Sequence, residues 1–176
     1  MKIFITGGQG FIAGRLAEYL YLQGYSITIG TRNINNNLSL NKEIKVTTIN
    51  WDNFNILKNA LEGIDLIIHA AGPNATESVN LLSETLKFSK EGTANLLKAA
   101  SHHGVNKLIY LSTAHVYRSP LLGTINEDTK LNNEHPYAKS HIAVESQIIA
   151  AKKKYGIDSF IFRISNSFGR PVTRKA

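Results

Sequence analysis

The stretch TGGQGFIAGRL at residues 6–16 limits this chain more than any other. It joins an apolar run, KIFIT at 2–6, to a segment in which Phe11, Ile12, Leu16, Tyr19 and Leu20 recur with helical period. A glycine just after a strand takes a positive φ without strain, and a second lets backbone approach a ligand closely. Gly7, Gly10 and Ala13 keep that order, with Ala13 as the small residue where helix and strand meet. The helix start then offers unpaired N–H groups and the positive end of its dipole, which suits a pyrophosphate. A glycine-rich turn alone is a weak signal. With a strand before it and a helix after it, the turn reads as a dinucleotide site, with Phe11 and Ile12 among its contacts. The competing reading is a plain tight turn.

The rest of the chain repeats the strand–helix alternation. Strands are expected at 2–6, 26–31, 44–49, 64–70, 107–113 and 159–165, and helices at 11–23, 54–61, 76–102 and 137–154. The 76–102 helix rests on Leu81, Leu82, Leu86, Leu96, Leu97 and Ala100. Gly63 and Gly104 close their helices, and the asparagine-rich stretch at 33–42 reads as a loop. Such alternation predicts parallel strands joined by right-handed crossovers, an α/β doubly wound sheet with helices on both faces. Its ligand site lies at the carboxyl ends of the strands. At 176 residues the chain is the size of one domain, 1–176.

The end of the second strand bears on cofactor choice. An acidic residue there would bond the ribose hydroxyls of NAD and repel a 2′-phosphate. Thr31 and Arg32 stand there instead, and a guanidinium grips a phosphate bidentately. The residues favour NADP over NAD; the competing reading is a surface arginine opening a polar loop.

Seven segments in order carry a family resemblance. TGGQGFIAG is similar to TGGxGFIG; INWDN (49–53) and HAAG (69–72) resemble the ends of strands three and four. EGTANLLKAA (91–100), LSTAHVY (111–117), PYAKSHIAVE (136–145) and RISNSFGR (163–170) look like GTxNLLEAA, SSxxVYG, PYGxSKxxxE and RxxNxYGP. Together they resemble the extended short-chain dehydrogenase/reductase family, of the NAD-dependent epimerase/dehydratase type. The resemblance spans essentially the whole chain. It implies a Rossmann domain whose cofactor meets Asp52 at the adenine and Ala70, Ala71 and Gly72 along its length. It implies Tyr137 as catalytic acid/base, Thr113 at the reacting oxygen, and Asn166 and Tyr117 near a nucleotide-sugar substrate. A homodimer through the fourth and fifth helices is also implied. Members of the family continue into a smaller carboxyl-terminal lobe, so truncation before that lobe is expected.

One position departs from the pattern. The family's lysine, four residues after the tyrosine, is His141 here, on the same helical face as Tyr137. Pro136 and Glu145 fix the register, and Lys139 falls on the opposite side. The family lysine holds the nicotinamide ribose, and its charge favours the phenolate of the tyrosine. A histidine can still bond a ribose hydroxyl but is mostly neutral at pH 7. Ser89 replaces a family asparagine, and Arg118 stands where the family has Gly. His141 is therefore either a retuned catalytic residue or a helix-face histidine without a role.

Two function classes follow. The first is an NAD(P)-dependent oxidoreductase, epimerase or dehydratase acting on a nucleotide sugar. The second is a weakly active or inactive dinucleotide-binding module with a regulatory or scaffolding role. A net charge of +7 raises nucleic acid as a third partner, but the basic residues are scattered and lack interleaved aromatics, so none is expected. With 0 cysteines, disulfides, thiolate catalysis and Cys-type zinc sites are excluded, and no metal is expected. That fits a cytoplasmic protein, and no apolar run is long enough to span a membrane.

Overall fold

Six short β-rich runs become strands: β1 Lys2–Thr6, β2 Ser26–Thr31, β3 Lys45–Thr48, β4 Leu66–His69, β5 Lys107–Thr113 and β6 Asp158–Ile164. The computed structural model describes residues 1–34, 40–118 and 120–169. Residues 35–39 of the asparagine-rich stretch and the basic tail at 170–176 lie outside the described residues. The helices are α1 Phe11–Leu22, α2 Phe54–Ala60, α3 Ala75–Asn80, α4 Leu82–Lys87, α5 Thr93–His102 and α6 Pro136–Tyr155.

All strand pairs are parallel, in the order β3-β2-β1-β4-β5-β6. This is the doubly wound Rossmann arrangement. The chain moves outward from β1 through β2 to β3, then returns past β1 to build β4, β5 and β6. The direction reverses between β1 and β4, which opens a crevice at their carboxyl ends.

Strand alternation sends successive residues to opposite layers. Phe4 packs with Ile67 and Leu108 under Leu57 of α2, Leu96 and Leu97 of α5 and Ile148 of α6. Ile3, Ile5, Ile27 and Ile29 face the other way, under Ala13 and Ala17 of α1. Fully burying an isoleucine or phenylalanine stabilises by about 1.5–3 kcal/mol relative to exposure, so these two layers fix the sheet between the helices. On the α1 side the cover ends early: Phe160 and Phe162 on edge strand β6 remain exposed, at 70% and 52%.

The single helix expected at 76–102 is divided. Leu81 leaves helical geometry (φ −124°, ψ 56°) between α3 and α4, and a π-helical turn spans Phe88–Gly92 before α5. Each interruption shifts the helical phase. As a result Leu81, Leu82 and Leu86 are exposed, while Ser78, Thr85 and Ser89 face inward. Leu96, Leu97 and Ala100 are buried as expected.

Candidate active site

Two cavities, of about 450 and 650 Å³, share Gly7, Gly10 and the Ala70–Pro73 turn. Together they form one groove across the carboxyl edge of the sheet. One end is bounded by Gly30, Thr31, Arg32, Ile49 and Trp51. The other is bounded by Phe11, Ile12, Thr113, Tyr137, His141 and Asn166.

The middle of the groove is the glycine turn. Gly7 has φ +69°, and a Cβ there would lie 2.9 Å from the Cα and N of Ala71. Only glycine lets the turn approach β4 so closely. Gly10 N donates to Gly7 O (2.8 Å) and closes the turn. Thr6 Oγ1 braces the opposite wall, accepting from the N–H groups of Ala70 and Ala71 (3.1 Å each) and donating to His69 Nδ1 (2.8 Å).

Gly10, the N-cap of α1, supplies no side-chain cap. By contrast Asn53 caps α2, Asn74 and Glu77 form a capping box on α3, and His135 caps α6. Among the described residues the first-turn N–H groups of α1 are thus left without side-chain partners beside the groove, a ready anion cradle. Gln9 Nε2 is buried in the same place with no partner among the described residues. Both features fit the pyrophosphate of a dinucleotide. Beyond them, Thr31 Oγ1 donates to Asn33 O (2.9 Å), which fixes the start of the loop, and Arg32 is exposed along the groove.

At the far end Tyr137 occupies the first turn of α6, after Pro136 at the first helical position. His135 Nδ1 accepts from Tyr137 N (3.2 Å). Asn133 orders the approach, donating Nδ2–H to His115 O (2.7 Å) and accepting from His135 N (2.9 Å). The Tyr137 ring stands edge-on to His141, with centroids 4.6 Å apart, and near His115 at 6.4 Å. Thr113 Oγ1 accepts from His115 N (3.2 Å), which leaves its proton for another acceptor. His115, Asn133 and His135 went unremarked in the sequence. The signal was a pair of short segments, AHVY (114–117) and EHPY (134–137), each of which places a histidine near a site residue.

His141 is 8% exposed and its Nδ1 meets the Tyr110 hydroxyl at 2.7 Å. Burial lowers its pKa from 6.5 to about 4, against the opposing pull of Glu145. It is therefore neutral near pH 7 and does not reproduce a lysine's fixed charge. Lys139 turns away to pair with Glu134. Glu145, one turn beyond His141, is buried against Arg163, whose Nη2 donates at 2.9 Å, and against Ser112, whose Oγ donates at 2.5 Å.

Two expected residues lie away from the groove. Asp52 faces solvent and pairs with Lys87 (3.0 Å), while its neighbour Trp51 lines the groove. Both lie in a turn beyond β3, where Asp52 N donates to Asn50 Oδ1 (2.9 Å). Tyr117 is buried behind the site, where its hydroxyl accepts from Arg163 Nη1 (2.9 Å). Ser89 is also turned inward, donating to Thr85 O (2.8 Å).

His69, fully buried, has its pKa lowered from 6.5 to about 3, chiefly by burial and then by His141. Both imidazoles are neutral in the fold and take up a proton on unfolding below pH 6.5. Stability is therefore expected to fall as the pH drops from 6.5 toward 4, by up to about 1.4 kcal/mol per pH unit for each histidine. Above pH 6.5 the two contribute no slope. Urea midpoints at pH 7 and pH 5 test this, and His141→Gln should flatten the dependence; equal midpoints would rule it out.

Comparison with known proteins adds an independent finding. The model of the NAD dependent epimerase/dehydratase family matches residues 3–176. A dTDP-D-glucose 4,6-dehydratase of Dictyostelium discoideum is 31% identical over 96% of this chain and 44% of its own length. The UDP-glucose 4-epimerase 2 of Oryza sativa subsp. japonica is 31% identical over 81% of the chain and 38% of its own. A UDP-glucuronic acid 4-epimerase from Bacillus cereus, solved with UDP-glucuronic acid and NAD, superposes with a TM-score of 0.80 at 25% identity, covering 93% of this chain and 56% of that one. The chain spans about half the length of the curated relatives it matches.

Proposed function

Since the chain belongs to the NAD dependent epimerase/dehydratase family, we propose that it holds a nicotinamide dinucleotide in this groove and serves hydride transfer on a nucleotide sugar. The observation that carries the reading is the continuity of the groove from the uncapped N-terminus of α1 to Tyr137. Gly7, Gly10, Phe11 and Ile12 would hold the pyrophosphate, and Ala70, Ala71 and Gly72 would border the cofactor. When bound, the cofactor supplies the hydride acceptor. Tyr137 takes the proton of the sugar hydroxyl, Thr113 donates to the reacting oxygen, and Asn166 borders the sugar nucleotide. The whole of residues 1–176 acts as one dinucleotide-binding domain.

We further propose a preference for NADP, which rests on Arg32 beside Thr31. The named structural relative carries NAD, so Arg32 is the decisive residue. Titration of the chain with NADPH and NADH, followed by nicotinamide fluorescence, tests both claims. Tighter NADPH is expected, with Arg32→Ala losing roughly tenfold or more of that advantage, as for a charge-assisted hydrogen bond. Tighter NADH would remove the Arg32 argument and keep the cofactor site. Binding of neither would sink the reading.

A second reading is a dinucleotide-binding module with little chemistry of its own. The neutral state of His141 favours it, because the position of the family's lysine then carries no fixed charge beside Tyr137. Reduction of bound cofactor by a sugar nucleotide separates the two. A homodimer is proposed through the exposed Val79, Leu82 and Leu86 of α3–α4 and Ile149 of α6; sedimentation of the purified chain reads it directly. Among the described residues no helix is long and apolar enough to cross a membrane.

A further inference from the structure

His141 has a partner that the sequence motif does not contain. Tyr110 lies on β5, 31 residues earlier, and its hydroxyl meets His141 Nδ1 at 2.7 Å in a buried contact. Its ring is held from the other side by His69, stacked at 5.4 Å with planes 29° apart. His69 is in turn fixed by Thr6, at the start of the glycine turn. A row thus runs from the buried Thr6, His69, Tyr110 and His141 to the half-buried Tyr137. The His69–Tyr110 step is a ring stack and passes no proton, so the row is a brace and not a relay.

The direction of the Tyr110 bond follows from hydrogen-bond accounting. At 2.7 Å the separation suits a hydroxyl donor better than a ring N–H donor, for which about 2.9–3.0 Å is usual. Tyr110 is 3% exposed, and His141 is the partner that its hydroxyl has among the described residues. Were Nδ1–H the donor, the phenolic proton would be buried without an acceptor, a costly arrangement. Burial also raises the Tyr110 pKa well above 10, so the hydroxyl keeps its proton to give. With Nδ1 accepting, a neutral imidazole carries its proton on Nε2.

We infer that Tyr110 is a positioning residue that fixes the tautomer of His141, so that the ring offers an Nε2–H donor in the groove beside Tyr137. His141 lines that groove together with Tyr137, Thr113 and Asn166. An Nε2–H donor suits a ribose hydroxyl or the oxygen of Tyr137. It cannot act as a base, and it does not restore a lysine's charge. The groups facing His141 are Glu145 and Tyr137 from its own helix and Tyr110 and His69 from the sheet. The consequence for turnover rests on the proposed function, whereas the tautomer is a property of the free chain.

The test is nitrogen NMR of the ¹⁵N-histidine-labelled chain at neutral pH, without cofactor. His141 is expected with Nε2 protonated and Nδ1 bare, and with the Tyr110 hydroxyl proton in slow exchange and coupled to Nδ1. Protonation at Nδ1, on both nitrogens, or a freely exchanging Tyr110 hydroxyl overturns the inference. In Tyr110→Phe the tautomer ratio should move roughly tenfold toward Nδ1–H, the worth of one lost hydrogen bond. An unchanged ratio in a folded variant overturns the role of Tyr110. Should that variant not fold, the wild-type hydroxyl coupling decides by itself. Because no cofactor is present, failure of dinucleotide binding and failure of the tautomer assignment read out separately.

Discussion

Tyr137→Phe is expected to reduce hydride transfer by roughly 10²–10⁴-fold, the usual worth of a positioned acid/base, while leaving dinucleotide affinity unchanged. The substitution removes one oxygen and keeps the ring. The edge-on contact with His141 at 4.6 Å and the His135 cap at the start of α6 do not depend on that oxygen. Tyr137 borders one end of the groove, whereas the glycine turn and the α1 cradle are formed by other residues, so the pyrophosphate hold has no reason to change. Single-turnover absorbance of the bound nicotinamide, with a nucleotide sugar as reductant, reads the effect in the longest available form of the protein. Undiminished transfer in the variant would remove Tyr137 from the chemistry. Absent transfer in the wild type, with cofactor bound, would instead favour the binding-module reading.

Arg163→Met is expected to destabilise the fold by about 3–5 kcal/mol, the cost of leaving a buried charge without its partner. Glu145 is 1% exposed, and Arg163 reaches it through Nε (3.2 and 3.3 Å) and Nη2 (2.9 Å). The hydrogen bonds with Glu145 hold the guanidinium firmly charged, above its ordinary pKa. Without it, the carboxylate keeps Ser112 Oγ as its one side-chain donor among the described residues. The same guanidinium ties Tyr117 Oη and Glu127 O, so it joins β6, α6 and the segment leading to His135. The double variant Arg163→Met with Glu145→Gln should recover most of the loss, since an amide is far cheaper to bury than an unpaired carboxylate. Chemical denaturation of the three variants measures it. A single variant as stable as the wild type would show that the pair does not hold α6 against β5 and β6.

These two residues differ in how they could be found. Tyr137 was legible because its signal is local: a proline before it, a helix after it and His141 four residues on. The six strands were legible for the same reason, since apolar alternation within five or six residues settles which runs enter a sheet. The glycine turn carried its own constraint in Gly7, where the backbone itself demands glycine. By contrast the helix expected at 76–102 misled, because Leu81, Leu82 and Leu86 have helical spacing whichever way they face. Only the break at Leu81 and the π turn at Phe88–Gly92 turned Ser78, Thr85 and Ser89 inward. Asp52 and Tyr117 sit within matching motifs, yet one faces solvent and the other an arginine 46 residues away.

The sequence by itself determined the strand–helix alternation, the glycine turn, and the placing of Tyr137 and His141 on one helical face. Each of these depends on interactions within a few residues, through backbone sterics and periodic burial. The tertiary structure alone decided that His141 is buried, which lowers its pKa further, that Tyr110 is its partner, and that Glu145 is answered by Arg163. Those facts depend on which side chains from β5, β6 and α6 share one dry interior. Burial and pairing there shift charge states by amounts that no spacing along the chain encodes.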